Sequence, residues 1–586
     1  MQRENRGGKA GTPRRGAGTG RFGFAASEAG LSRVFAVALA LFFLVVVRLV
    51  FLQVVDGPSL ASRAEARRTN VQVLQAKRGT IYDRKGNILA MSEECYDVYC
   101  NPKEVTDVEE EAKLLVKWLG GDEAGYKELL STDSTFVYVK RRADKEACES
   151  LRGDLIANGR AGVYLLSQTR RVYPYGKVAG QLIGLVSEND QGEYEGITGL
   201  ELMYNSELSG KDGEMIMETG AHGVPIAGAA SQVTEPIDGE DIVISIDVDV
   251  QKYAEECIEE ATAEYSASSG MCMACDPRTG EILAACSTPY ADISQPDTLT
   301  NEALNLKLVS SAYDPGSIFK VLTAAIGVDS GKVSTTRYFD VPPTIVVGSD
   351  LVMDEDGRNK TESMNLREML RRSSNVGSAL IAQEGIGAQT FSEGVESFGI
   401  GSLTGVDFPG ETAGMVKPLE QYDGSSLGSM SFGQGLTIPM VQMVRAVSSI
   451  ANGGTLPTPH FALTVGDKQL EWEQGPRSVS GDTARKVADM MVTVVKDGTG
   501  FSAAVDGYEV AAKTGTGEQA KNGVYMQGKY LASLIGFAPA KDPEVLLYVG
   551  LNETPYISYS SAGPVFSAIM GEVLKDMGVL SNPQGS

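Results

Sequence analysis

Residues 34–55 read VFAVALALFFLVVVRLVFLQVV, and no other stretch restricts the possible folds of the chain as severely. These 22 residues with one charge are enough to cross a bilayer as a single helix. The run is longer than the apolar core of a secretory signal, and no small-residue cleavage site follows, so it reads as an uncleaved anchor. Charge orients it. Residues 1–33 hold seven Lys or Arg against Glu4 and Glu28, a net +5 that leaves −29 on the rest of a chain whose formal total is −24. Basic flanks stay cytoplasmic. The expectation is therefore a cytoplasmic basic tail over 1–33, a single-pass cell-membrane anchor over 34–55, and an extracellular remainder. An acidic body argues against nucleic acid as a partner, since phosphate binding needs a basic surface. Arg48 lies within the span toward its outer end, and two readings stand: snorkelling to the interface, or a polar contact with another membrane helix.

The remainder has the composition of ordinary globular protein, 42% hydrophobic and 22% charged over the chain. Its length allows at least two cores. A first region, 56–236, opens with the hairpin pattern RGTIYDRKGNILAMS and continues through Gly- and Pro-punctuated segments, RRVYPYGKVAGQLIG and GITGLELMYNSELSGKDGE. It gathers no catalytic residue types and reads as an elongated mixed platform. A second region, 237–582, begins with the strand EDIVISID, after which Asp247 can cap a helix. In that helix Val250, Tyr253, Ala254, Cys257, Ile258, Ala261 and Tyr265 form an apolar face, with Lys252, Glu255, Glu256 and Glu259 opposite. SGMCMACDPRTGEILAACSTP predicts two strands about a Pro-Arg-Thr-Gly turn, helices are expected to dominate 302–400 and 440–452, and strands return at Tyr508–Thr514, Leu531–Ala538 and Val545–Leu551. Strands at both ends of a helical middle predict one α+β domain whose sheet joins the ends.

Seven cysteines, at 95, 100, 148, 257, 272, 275 and 286, cannot all pair with one another. Cys272 and Cys275 form a CxxC, but in a strand their odd separation puts them on opposite faces, and no histidine accompanies them. They read as small buried side chains, and neither a metal nor a cofactor is expected. With only His222 and His460 in the chain, a Ser-His-Asp triad has no persuasive histidine.

Nucleophile chemistry can instead rest on lysine. YDPGSIFK, at 313–320, is followed by the apolar run VLTAAIGV, so Lys320 sits where little water should reach. Pro315 and Gly316 suit a turn into a helix, and Ser317, three residues before Lys320, shares its face. An amine in apolar surroundings loses basicity and can serve as base to a serine. RRSSNVGSALIAQ places Ser373, Ser374 and Asn375 between two helical runs, where a plain helix cap is the bland reading. EVAAKTGTGEQ carries Lys513, Thr514, Gly515 and Thr516 on a strand, with Gly515 expected to leave no side chain between strand and ligand and the strand edge open to an extended peptide.

S-x-x-K, S-x-N and K-T-G in this order, 56 and 140 residues apart, are the set shared by penicillin-binding proteins and class A β-lactamases. RGTIYDRKGNILA, the YP and GLE segments, SIDVDVQ, DPRTGEILA, SFGQGLTIP and IANGG extend the likeness, and the chain resembles a class B penicillin-binding protein of the division and sporulation branch from about residue 34 to 570. The resemblance implies a penicillin-binding/serine β-lactamase-like transpeptidase domain, a sheet flanked by helices, on a dimerisation-type platform. It implies a peptidoglycan D,D-transpeptidase that is covalently inhibited by penicillin. Ser317 would be the nucleophile and Lys320 its base, Ser373 and Lys513 would relay protons, and Asn375 would hold the substrate amide. Thr514, Gly515 and Thr516 would bind the donor, the N–H groups of Ser317 and Thr516 forming the oxyanion hole. Stem peptides ending in D-Ala-D-Ala, β-lactams as inhibitors, and a polytopic glycan polymerase among other wall-synthesis membrane proteins are the implied partners. The alternatives are a D,D-carboxypeptidase or β-lactam hydrolase, and a catalytically silent scaffold; no E-x-x-L-N segment for lactamase deacylation follows the second motif. Ile318 departs from the commoner Thr or Ala, with its side chain expected to point away from Ser317. Gly517 stands at the cleft's lip, and AGQLIG lacks a histidine common among relatives.

Overall fold

The computed structural model describes residues 28–57, 59, 69–189, 194–218, 232–354, 356–521 and 524–581. His222 and the tail up to residue 27 lie outside them. One compact unit comprises the described residues of 1–73 and 214–234. It holds helix α1 (Glu28–Val50), continued by a π turn at Phe51–Val55, and Ser32–Val55 is long and apolar enough to cross a membrane. The Arg48 guanidinium lies 5.7 Å from the ring centre of Phe51, further along the same helix.

The other unit comprises Leu74–Gly213 and Glu235–Ser586. The predicted hairpin joins Ile81–Tyr82 to a long strand, β1 (Ile88–Cys100). Asp83 closes the turn by accepting from the amides of Lys85 and Asn87, both at 2.8 Å. Strands β2 (Val137–Asp144) and β3 (Val163–Val172) pair antiparallel with β1, and three helices (Val108–Leu119, Glu123–Leu130 and Lys145–Ala157) cover one face around Val98, Leu115 and Leu151.

Three of the segments quoted above meet in one buried ion cluster. Glu201, from GLE, accepts from Arg78 Nε at 2.6 Å and Arg171 Nε at 2.7 Å, and Arg78 also reaches the Glu201 carbonyl at 2.8 Å. A buried carboxylate between two guanidiniums is tolerable only because so many of its lone pairs are met. Gln181, within AGQLIG, is buried and donates to the carbonyls of Ser287 at 2.6 Å and Ala303 at 2.7 Å while accepting from Ser287 N. Asp407 performs a similar linkage, taking Tyr204 Oη at 2.6 Å and the amides of Phe461 and Ala462 at 2.7 and 2.8 Å.

From Asp247, whose carboxylate caps it as expected, α2 (Val248–Glu264) leads to the hairpin β4 (Ser269–Cys275) and β5 (Ile282–Ser287). The middle holds α3 (Lys320–Asp329), α4 (Leu366–Arg372), α5 (Asn375–Leu380), α6 (Met440–Ala451) and α7 (Gly481–Asp497). β6 (Ala511–Lys521), β7 (Val524–Ala538), β8 (Val545–Thr554) and helix α8 (Ala562–Asp576) follow. The five strands form one antiparallel sheet in the order β5-β4-β8-β7-β6, so the sheet does join both ends of the region. Its alternation is strict: Met271, Met273 and Cys275 face the core containing α3, α6 and α7, and Cys272 and Ala274 face the core of α2 and α8. The two CxxC thiols therefore lie on opposite faces, and all seven cysteines are unpaired.

Three expectations need correction. The strand expected at Tyr508–Thr514 starts at Ala511, because Val505 and Tyr508 close a turn, and it runs on to Lys521 with Gly515 and Gly517 paired to Ser533 and Leu531. Short strands, including the hairpin Thr344–Val347/Asp350–Met353, interrupt the region expected to be helical at 302–400, since VVGSDLV is itself a hairpin pattern. Glu255, assigned to the polar face of α2, is buried: α2 is covered on that side too, and Glu255 accepts from Ala179 N at 2.9 Å and Gln251 Nε2 at 2.7 Å.

Burial pushes the Glu255 carboxyl up to about 7, against these donors. A folded-state value above the unfolded one means stability is full at low pH and is lost as pH rises toward 7. Between about pH 5 and pH 8, Glu255→Gln should gain up to about 3 kcal/mol relative to the wild type, read as converging or crossing thermal unfolding midpoints. A pH-independent difference would refute this.

Candidate active site

The nucleophile motif forms a tight 3-10 turn, Gly316–Phe319, that feeds directly into α3, so Ser317 is held by backbone rather than by a loop. Lys320 opens α3 and is 1% exposed. Its Nζ donates to Ser317 Oγ at 2.8 Å, Asn375 Oδ1 at 2.6 Å and the Ser373 carbonyl at 2.6 Å, with Ser373 Oγ at 3.3 Å. An ammonium or amine so placed has exchanged water for oriented oxygens.

The second motif divides its labour. Ser373 ends α4 in the left-handed region, φ 60° and ψ 40°, which brings both its carbonyl and its hydroxyl within reach of Lys320. Ser374 is the cap of α5, accepting from Gly377 N at 2.8 Å. The bland capping reading is correct for Ser374, and it leaves Ser373 and Asn375 facing the lysine.

Lys513, on β6, is fully buried and donates to Ser373 Oγ at 2.9 Å and the Thr514 carbonyl at 2.7 Å. Desolvation, helped by the charge of Lys320, holds its amine well below the ordinary lysine range. Thr514 Oγ1 pairs with Thr499 Oγ1 at 2.9 Å, and Thr516 Oγ1 with Ser558 Oγ at 2.9 Å. Ser558 also donates to the Gly515 carbonyl. The residues singled out in the three motifs thus come together.

Gly515 needs a different explanation from the one its motif suggested. A Cβ there would lie 2.9 Å from Ile318 Cγ2 and 2.5 Å from Ser533 Oγ, so the glycine lets the nucleophile turn pack onto the strand rather than clearing space for a ligand. Ile318 is accordingly buried beneath β6, away from the cleft. The same contact continues along the strand, where Thr516 and Gly517 run beside Gly316, whose φ of +59° keeps that approach open.

Two arms of a cleft meet at Ser317, Asn375 and Thr516. One, of about 310 Å³, is bounded by Arg372, Ser373, Thr499, Thr514 and Tyr559. The other, of about 570 Å³, runs beside the Asp350–Met353 strand. β6 is the edge strand of the sheet, so its backbone is open to an extended peptide there.

Sequence reasoning missed the residues that hold the second motif. Asp354 accepts from Ser374 Oγ at 2.5 Å and Val376 N at 3.0 Å, and it is ion-paired with Arg358, both side chains being nearly inaccessible. Thr499 and Ser558 were missed as well. None belongs to a motif, and each acts on a residue distant in sequence. His460 stacks on Trp472 and takes no part in the cleft.

Residues 270–571 match the family described as "Penicillin binding protein transpeptidase domain", and residues 73–244 match "Penicillin-binding Protein dimerisation domain". The chain is 31% identical over 561 residues to the probable peptidoglycan D,D-transpeptidase PenA of Neisseria meningitidis, covering 94% of each chain. It is 30% identical over 554 residues to stage V sporulation protein D of Bacillus subtilis, covering 91% of this chain and 83% of that one. Penicillin binding protein 2X from Streptococcus thermophilus superposes with a TM-score of 0.76 at 25% identity, over 86% of this chain and 80% of that one. For penicillin binding protein 3 from Mycobacterium tuberculosis complexed with ampicillin the TM-score is 0.67 at 25% identity, over 87% and 98%. The fold is that of the penicillin-binding transpeptidases, and the chain belongs to their class B family.

Replacing Asp354 by Asn would leave Arg358 buried beside a neutral partner and weaken the hold on α5. Hydrogen exchange at the Val376 and Gly377 amides should accelerate roughly tenfold, about 1.4 kcal/mol of local stability. Unchanged exchange would show that Asp354 does not secure the motif.

Proposed function

We propose that this chain is a membrane-anchored peptidoglycan D,D-transpeptidase that works through a Ser317 acyl-enzyme. The observation that carries the reading is the buried Lys320 Nζ 2.8 Å from Ser317 Oγ, with Ser373 and Lys513 completing a proton path. Ser317 Oγ attacks the carbonyl of the penultimate D-Ala as its proton passes to Lys320, which gives up one of its own through Ser373 Oγ to the amine of Lys513. Ser373, between the two lysines, hands a proton to the departing amine as the C–N bond breaks and the last D-Ala leaves. The amides of Ser317 and Thr516 receive the developing oxyanion. Thr514 and Thr516 take the terminal carboxylate, Gly515 presents strand backbone to the donor, and Asn375 offers its amide to the donor peptide. An amine of a second stem peptide then attacks the ester, losing a proton to the same path and restoring the Ser317 hydroxyl.

Penicillin would acylate Ser317 by the same first step. The names of the relatives support wall synthesis, and the sporulation relative supports a spore or septal setting. The N-terminus would be cytoplasmic and the catalytic region extracellular, with 34–55 as anchor, 56–236 as platform and 237–582 as transpeptidase domain. A polytopic glycan polymerase would meet the anchor and platform.

Fluorescent penicillin should label the wild type stably and Ser317→Ala not at all. Equal labelling of the variant would remove Ser317 as nucleophile, and loss of label within seconds would favour a hydrolase. A second expectation concerns Lys513, whose amine is held well below the ordinary lysine range. Burial favours the uncharged form, and acylation should fall as pH drops and the path gains a proton. Lys513→Arg, which cannot lose its proton, should slow acylation by about 100-fold or more at every pH. A variant as fast as the wild type would exclude a neutral amine at this position.

A further inference from the structure

The larger arm of the cleft has one chemical character near Ser317 and another at its far end. Leu351 and Met353 line it from the hairpin, and Met430 and Phe432 from the body of the domain. Its charged lining residues are Asp350 and Lys417. The packing puts these two at the same end. Asp350 pairs with Val347 across the hairpin turn, and Gly348 in that turn lies so close to the next loop that a Cβ would fall 2.7 Å from Ser425 N. That loop holds Lys417, whose Nζ donates to Asp423 at 3.0 Å and Ser426 Oγ at 3.2 Å. Asp423 is itself fixed by the amides of Ser425 and Ser426. Lys417 is thus oriented by two of its three N–H groups, and one remains for a ligand.

We infer that this arm receives the side chain of the donor residue preceding the acylated D-Ala, and that it selects a diamino dicarboxylic acid there. The inference rests on the Ser317 acyl-transfer reading. If the terminal D-Ala carboxylate lies on Thr514 and Thr516, the residues upstream of the attacked carbonyl extend the other way, into the larger arm. An aliphatic stem matches the apolar walls. A terminal ammonium matches Asp350, and a carboxylate on the same carbon matches Lys417. A lysine-type residue supplies the stem and the ammonium but nothing for Lys417, and brings like charge toward it.

The test uses the purified full chain and two peptide thioester donors that differ only at this residue, one carrying lysine and one a diamino dicarboxylate. Fluorescent-penicillin labelling counts the competent Ser317 sites in each preparation. The wild type should favour the dicarboxylate about fivefold in kcat/KM, as expected for one half-exposed charge pair. The ratio should fall to about one in Lys417→Met and be retained in Lys417→Arg. Asp350→Asn, at an exposed turn, should lower kcat/KM for both donors. A wild-type ratio near one, a ratio that survives Lys417→Met, or donors indifferent to Asp350→Asn would overturn the assignment. Failure of the wild type to label at all would instead overturn the acyl-transfer reading beneath it.

Discussion

Ser373 Oγ takes a hydrogen bond from Lys513 at 2.9 Å and lies 3.3 Å from Lys320, whose strongest contacts go to Ser317, Asn375 and the Ser373 carbonyl. Two amines within reach of one hydroxyl, with almost no water, cannot both carry full charge without a large cost. The fold meets this with oriented oxygens and with a lowered proton affinity at Lys513. Much of the surrounding geometry follows from that arrangement. Ser373 must leave the helical region to offer its carbonyl as well as its hydroxyl, and Ser374 must cap the next helix so that Asn375 stays in register.

The arrangement also demands that a helix start and a strand be pressed together. The 3-10 turn and β6 approach at Gly316 and Gly515, where a Cβ would crowd the Gly517 backbone or Ile318. Below them the five-stranded sheet is buried on both faces, which gives the strand little freedom to move away. The more remote Arg78–Glu201–Arg171 cluster ties segments of the first region to one another, and the Gln181 bridge and the Tyr204–Asp407 contact fix that region against the second.

Much of this was legible in the sequence where chemistry is local. S-x-x-K, S-S-N and K-T-G-T name their residues by spacing, and the alternation of MCMAC announced a strand buried on both faces. What could not be read was the identity of distant partners. Asp354 looks like any loop aspartate until Ser374 and Val376 are placed beside it. Glu255 fitted the polar face of an amphipathic helix, and nothing in its neighbours reveals that Ala179 would cover it. Gly515 was recognised as necessary for the wrong reason, since its crowding neighbour Ile318 belongs to a different motif far off in the sequence.

The strand order has a consequence for how the molecule comes into being. β8, near the end of the chain, sits between β4 and β7, so the centre of the sheet is the last strand to be synthesised. Until it emerges, β4 and β5 wait as a hairpin without their neighbour, and the edge that bears Lys513 has nothing to stand on. A truncated or half-made chain would hold Ser317 and Lys320 but lack the surface that buries them. The strand edge that carries Lys513 is therefore supported only once the last strand of the sheet is in place.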